Sequence, residues 1–365
     1  MFMKYQVLCM FGGCSLEHEI SILTALSLFE ETFTNYELIP LYIDHHQRWY
    51  SGEVLKHRDC YLQKDYHYLN EVELKKSKKG FYLCEKSFFK RRRKIDFVLP
   101  LIHGKTGEDG ILQGYLQWLS IPFASASLQT CALAHNKAIM KHVLQDGGIN
   151  VVPFFEVNRY DDINEALYQK SRRLKYPLII KPSGSGSSIG IEVVEDIYGF
   201  EKALTNSFLY DDTIVVERYF DKVREFHGAI IKHGNTYEIS AIEEIKRHDA
   251  IFSFSEKYVE ERKNEWVDAN LDADLLLEIE TTLKRCADVI HLEGMVRIDM
   301  LYVDEELFVN EINVIPGSLA MHLWKPKMDI EALLSRLIMI GLKQHEAQNT
   351  QSFYEVDLSL LHHKK

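Results

Sequence analysis

The sequence predicts a mixed α/β and α+β protein in three parts: an N-terminal parallel α/β domain, a small central module and a C-terminal, mainly antiparallel sheet. Three observations lead there. The apolar run Tyr5 to Phe11 passes through Gly12-Gly13 into a helical pattern with Ile20, Leu23, Leu26 and Phe29 three apart, and a second strand, Glu37 to Ile43, follows. Strand, glycine turn, helix, strand is the opening of a parallel sheet. Short strands and helices then alternate between 151 and 208. From 213 onward the strands lengthen, and Val296, Ile298 and Met300 alternate with Arg297 and Asp299, as in strands with one buried and one polar face.

Composition bounds the rest. The 365 residues are 46% hydrophobic and 27% charged, too apolar for disorder and long enough for two or three domains. A formal charge of -11 makes a poor non-specific nucleic-acid binder, so no nucleic-acid partner is expected. No run of about 18 apolar residues occurs, so no membrane insertion is expected. The start, Met1 to Gly12, is apolar but short, and Glu17, His18 and Glu19 stand where a small-residue cleavage site would lie, which argues against a signal peptide. Six scattered cysteines without a C-x-x-C read as reduced thiols of a cytoplasmic protein. The pairs His45-His46 and His362-His363 read as solvated loops or ends rather than metal sites.

Between these landmarks, residues 45–95 are polar and mixed and carry no assigned role. They end in the basic run Lys90 to Lys94, read as a solvated edge beside a strand Ile95 to Leu101 rather than an RNA site. An amphipathic helix is expected from Gly110 to Leu119, a short closing strand at Ile121 to Ala124, and helices over about 127–147 ended by Gly147-Gly148. The central module takes strands at 151–156, 177–181 and 190–194 and helices near 161–173 and 197–208. The long strands are Thr213 to Arg218, Glu225 to Lys232, Thr236 to Ile242, Gly294 to Val303 and Glu306 to Ile312, and a helix at 329–343 closes the chain. Domain limits of 1–125, 126–220 and 221–365 follow.

Three stretches carry chemistry. Lys181-Pro-Ser-Gly-Ser-Gly-Ser-Ser-Ile-Gly190 follows an apolar strand; small residues with exposed N–H groups and hydroxyls, beside a lysine, can wrap a polyphosphate. Standing alone, such a segment is more often merely a flexible loop. Period-2 geometry puts Arg297 and Asp299 on one strand face and Glu311 and Asn313 on one face of the next. Asp299, Glu311 and Asn313 are oxygen ligands suited to Mg²⁺ held with substrate phosphates; the plain alternative is a solvent-facing hairpin. Gly12-Gly-Cys-Ser-Leu-Glu-His-Glu19 puts a carboxylate near a helix N-terminus, where Glu17 could receive an ammonium, or where Ser15 is simply the N-cap.

Taken together, F-G-G-x-S-x-E-H-E, H-G-x-x-G-E-D-G at 103–110, K-P-S-x-x-G-S-S-x-G, E-K-Y at 256–258, R-I-D and N-E-I-N-x-I-P-G, in that order, resemble the D-alanine–D-alanine ligases of the ATP-grasp superfamily. The resemblance runs from about Gln6 to Ser318. It implies a three-domain ATP-grasp fold whose central part is a lid. The activity implied is ATP-dependent joining of two D-alanines through an acylphosphate for peptidoglycan precursors, with Mg²⁺ or Mn²⁺, two ions, as cofactor. A homodimer is expected because such ligases are commonly dimers. The alternative is an ATP-grasp ligase joining D-alanine to a different acceptor.

Residue by residue, the resemblance implies a nucleotide site from Lys137, Lys181, Ser187, Ser188, the hinge Glu217-Arg218-Tyr219-Phe220, Glu225, Lys257, Asn310 and Glu311. Magnesium falls to Asp299, Glu311 and Asn313. Glu17 holds the first D-alanine's ammonium and His103 lies near its carboxylate. Arg297 and the N–H of Gly317 stabilise the oxyanion, while Ser187 and Tyr258 bond with Glu17 and latch a loop over the site. Relatives that make D-alanyl-D-lactate replace the tyrosine, so Tyr258 favours an amine acceptor. Where the family often reads P-G-(F/M)-T-x-x-S, this chain reads Pro316-Gly-Ser-Leu-Ala-Met-His-Leu-Trp324, leaving Ser318 as the nearest hydroxyl for the second substrate.

Overall fold

The computed structural model describes residues 4–63, 66, 68–87, 91–245 and 271–350. Strand β1 (Tyr5–Gly12), helix α1 (His18–Phe29) and strand β2 (Tyr36–Ile43) form as expected, with β1 and β2 parallel from Tyr5 opposite Tyr36 to Gly12 opposite Ile43. Val7 to Phe11 are wholly enclosed on both sheet faces, which is why the strand reads as an unbroken apolar run. Each such side chain contributes about 1.5–3 kcal/mol. The chain continues through β3 (Trp49–Tyr50), α2 (Asp59–Leu62) and an antiparallel three-stranded sheet, β4 (Val72–Ser77), β5 (Gly80–Glu85) and β6 (Arg92–Ile95). Strand β7 (Phe97–Pro100) then joins the first sheet in the order β3-β2-β1-β7.

The basic run thus supplies most of edge strand β6, and Asp96 separates that strand from β7. Arg93 bonds Glu37 and Gln6, and Lys94 pairs with Asp96 at 2.8 Å. Residues 121–124 make only a single parallel bridge, Val98 to Phe123, because Pro122 has no N–H to extend a ladder.

Helices α3 (Ile111–Trp118), α4 (Leu128–His135) and α5 (Lys137–Asp146) follow, with Ser127 and Asn136 as N-caps. The left-handed residue that ends α5 is Gly148, with φ 69°. The next expected strand splits: Val151 bridges Val309, and β8 begins at Phe154 (Phe154–Asn158). With α6 (Glu165–Leu174), β9 (Leu178–Pro182), β10 (Glu192–Val194), α7 (Ile197–Ser207) and β11 (Thr213–Arg218) it makes an antiparallel sheet ordered β10-β9-β11-β8. This sheet has its own core around Phe200, Leu204 and Ile214.

The last sheet, β13-β12-β14-β15, is antiparallel: β12 (Arg224–His233), β13 (Thr236–Ile245), β14 (Gly294–Val303) and β15 (Glu306–Asn313). Helix α8 (Ala273–Val289), capped by Asp272, covers it with Leu275, Ile279, Leu283 and Cys286. A turn at Gly317–Ala320, α9 (Met321–Trp324) and α10 (Ile330–Asn349) close the chain. Leu333, Leu334 and Leu337 of α10 pack into the same core as Val7 and Phe97. No helix among the described residues is long and apolar enough to cross a membrane.

Candidate active site

Glu17 precedes α1 and caps it with no side-chain bond. Ser15 is not the expected N-cap: its hydroxyl accepts from the Glu17 N–H at 3.2 Å and donates to the His103 carbonyl at 2.7 Å, which draws the turn toward β7's extension. Glu17 is buried against two glycines. A Cβ on Gly186 would stand 2.6 Å from one carboxylate oxygen, and one on Gly104 2.8 Å. Burial, then the nearby Glu108, raise the Glu17 pKa, while a hydrogen bond donated by Ser187 opposes them. His103 is buried beside it, with Nε2 2.9 Å from Thr24 Oγ1 and Nδ1 3.7 Å from Glu108.

The Gly/Ser loop reaches this spot from β9. Ser187 and Ser188 both sit in the left-handed region, φ 51° and 60°, so the loop turns sharply over the cavity. Lys137 anchors it: its Nζ donates to the Ser185 carbonyl at 2.6 Å and stands 3.9 Å from Glu311. Lys181, at the end of β9, donates to Glu217 at 2.7 Å and to Asn310 at 3.1 Å. Beyond Glu217, the exposed Arg218 lies over the Phe220 ring at 4.9 Å, and Tyr219 is buried.

Strands β14 and β15 supply the third wall. Arg297 pairs with Asn313 and Asp299 with Glu311, so all four share the face the alternation predicted. The register then slips between Asp299 and Met300. This bulge gives β15 one extra residue and lets neighbouring Asn310 and Glu311 line the same cavity. Arg297 grips Asp299 through two bonds of 2.7 and 2.8 Å, and the Asn313 amide donates to Asp299 at 3.1 Å. Burial alone would raise the Asp299 pKa; Arg297 and His227 overcome it and hold the carboxyl below the usual range.

These walls enclose two adjoining cavities. The larger, about 320 Å³, is lined by Glu17, His103, Arg297, Asp299, Asn313, Gly317 and Ser318 among others. The smaller, about 110 Å³, is lined by Lys181, Ser188, the Glu217–Phe220 stretch and Asn310. Lys137, Ser187, Glu225 and Glu311 border both. A carboxylate in the first and a polyphosphate in the second would meet at that shared border. Gly317 has open space where a Cβ would be. Ser318 also reaches the cavity, but its hydroxyl accepts from Ser27 at 3.0 Å and its N–H donates to Thr24 at 3.1 Å. The expected Lys257 and Tyr258 lie outside the described residues.

Several polar groups at the cavity went unread in the sequence. His227 stands two residues beyond Glu225 on β12, 3.1 Å from its carboxylate, and Glu243 takes His322 at 3.4 Å. Period 2 from Glu225 would have flagged His227; His322 follows a turn that no periodicity describes. Lys141, one helical turn after Lys137, is fully buried and 2.8 Å from Glu217.

Known proteins match throughout. The family model for the D-ala D-ala ligase N-terminus covers residues 6–126, and that for the D-ala D-ala ligase C-terminus covers 143–339. The D-alanine–D-alanine ligase of Thermosipho melanesiensis is 32% identical over 360 residues, 96% of each chain. Among solved structures, the D-alanine-D-alanine ligase from Coxiella burnetii superposes with TM-score 0.81 at 29% identity, covering 95% of this chain and 96% of that one. The VanG D-Ala:D-Ser ligase from Enterococcus faecalis gives TM-score 0.76 at 27% identity, covering 93% and 100%.

Proposed function

The chain belongs to the D-alanine–D-alanine ligase family, and on that premise we propose how its residues join two D-alanines for peptidoglycan precursor synthesis. The observation that carries the reading is that Glu17, Arg297, Asp299 and Asn313 line one cavity and Lys181 the adjoining one, with Lys137 and Glu311 on the border they share. They come from separate parts of the fold: Glu17 from the turn before α1, Lys137 and Lys181 from α5 and β9, and the remaining four from β14 and β15.

The first D-alanine enters the larger cavity with its ammonium on Glu17 and its carboxylate toward His103 and Arg297. ATP lies in the smaller one, its adenine edge on the Glu217–Phe220 backbone, its ribose hydroxyls on Glu225, its phosphates between Lys137, Lys181 and the Ser187-Ser188 turn. A carboxylate oxygen attacks the γ-phosphorus and ADP leaves, giving an acylphosphate. The neutral amine of the second D-alanine then attacks the acyl carbon; Arg297 and the Gly317 N–H stabilise the oxyanion, and phosphate departs with the C–O bond electrons and takes up the proton that the nitrogen releases. The loop over Glu17 excludes the water that would hydrolyse the acylphosphate.

Asp299, Glu311 and Asn313 offer the oxygen donors that Mg²⁺ or Mn²⁺ prefers, and two ions bound there would neutralise phosphate charge. Domain limits at 125/126 and 220/221, a cytoplasmic location and a homodimer belong to the same reading. Ile111, Tyr115 and Trp118, exposed along one face of α3, support the dimer, and sedimentation would test it.

Incubation with ATP, Mg²⁺ and D-alanine, with the product identified by mass and chirality, should yield D-alanyl-D-alanine. The same assay with D-serine and D-lactate tests the acceptor, because the 316–324 stretch departs from the family. Turnover only with another acceptor would overturn the D-alanine assignment at the second site.

A further inference from the structure

Lys141 is the group the proposed mechanism leaves unused. It is wholly enclosed, on the face of α5 one turn beyond Lys137, with its ammonium 2.8 Å from Glu217 Oε1 and 5.7 Å from the Phe154 ring centre. Glu217 Oε2 stands 2.7 Å from Lys181 on the other side. The carboxylate is therefore shared by two lysines, one sealed in the core and one facing the nucleotide cavity.

A buried ammonium is costly to desolvate, and an apolar side chain of the same length would fill the space without that penalty. Burial does push the Lys141 pKa down, against the pull of Glu217. Charge counting supplies a reason for keeping it. With Lys141 the group of three carries one net positive charge. Without it, Glu217 would cancel Lys181 and leave the floor of the cavity neutral, where a polyphosphate must bind. The Glu217 carboxylate would then work against the phosphates.

We propose that Lys141 is a positioning residue that satisfies Glu217 from behind, so that the charge of Lys181 stays available to the phosphates of a nucleoside triphosphate. The inference rests on the nucleotide site proposed above. It makes Lys141 matter in proportion to ligand charge, although Lys141 touches no ligand.

The test is the affinity of the purified full chain for ATP, ADP and adenosine at fixed Mg²⁺ and salt, by calorimetry. Lys141→Met should weaken ATP at least about tenfold, ADP less, and adenosine within about twofold. Its KM for ATP should rise more than kcat falls. Lys141→Arg keeps the charge and should keep the affinity. Lys141→Met combined with Glu217→Gln restores one net positive charge and should recover most of the loss. Uniform weakening of all three ligands, or no recovery in the double variant, would mean that Lys141 is merely structural and the inference fails. If Lys141→Met alone does not fold, Lys141→Arg and the double variant still carry the comparison. Wild-type protein that binds no nucleotide would overturn the site itself; wild-type binding with a uniform loss overturns only this inference.

Discussion

Ser187 donates its hydroxyl hydrogen to the Glu17 carboxylate across 170 residues of chain. The bond joins the Gly/Ser loop that follows β9 to the turn between β1 and α1. On the proposed reading, in which Glu17 receives the first D-alanine, a change to the loop should be felt as a change in substrate binding.

Gly186→Ala tests this link. Gly186 has an ordinary φ, so alanine is conformationally acceptable, but its Cβ would lie 2.6 Å from the Glu17 carboxylate. The loop must lift. KM for D-alanine should rise about tenfold to a hundredfold, as for small misplacements of reacting groups. Stability measured by urea titration should stay within roughly 0.5 kcal/mol. Unchanged D-alanine kinetics would show that the closed contact is dispensable.

The raised pKa of Glu17 has a defined sign. The folded state holds this proton more tightly than the unfolded chain, so the group favours folding at low pH and that contribution is lost as pH rises through the folded pKa. Glu17→Gln should accordingly melt above wild type at neutral pH and converge with it on acidification. The same substitution should weaken D-alanine at the first site while leaving ATP affinity nearly unchanged. Equal loss of both would make Glu17 structural. In wild type, D-alanine KM should climb on acidification at a pH above the usual glutamate range.

Lys181→Ala and Glu311→Ala should each reduce D-alanine-driven ADP release by about 10²-fold or more, the scale of losing one preorganised charge-stabilising group. Lys181→Ala leaves Glu217 paired with Lys141, so its fold should survive, which circular dichroism can check. Undiminished turnover in either variant would sink the nucleotide-site assignment.

Divalent ions should bind late. Asp299 already accepts from Arg297 through both oxygens and from Asn313 through one. Calorimetric titration of Mg²⁺ into nucleotide-free protein should therefore show no binding at micromolar levels, and binding should emerge once ADP or a non-hydrolysable ATP analogue is present. Tight binding to the free protein would mean that the Arg297–Asp299 pair opens without phosphates.

The parts of this molecule that were legible in sequence are those governed by a short period or a local motif. Period 2 placed Arg297, Asp299, Glu311 and Asn313 on one face, and the enclosed strand Val7 to Phe11 announced itself as an apolar run. The bulge beside Asp299 was not legible, because register depends on the partner strand. Ser15 looked like an N-cap, since local rules reward a serine there; a carbonyl 88 residues away claimed its hydroxyl instead. Helix α8 carried a signal that went unread, Asp272 followed by Leu275, Ile279, Leu283 and Cys286. Lys141 carried a weak one, four residues after Lys137, but nothing local says that its charge is buried on Glu217.

The shared core of β1, β7 and α10 bears on how the chain is made. Val7, Phe97 and Leu99 are packed with Leu333, Leu337 and Ile340, so the sheet of β1 and β7 lacks part of its core until the much later α10 has been synthesised. The central sheet draws its core from Val157 to Val216 alone. Order of synthesis and order of completion are thus reversed: the central sheet can close on its own residues while the earlier sheet waits for α10.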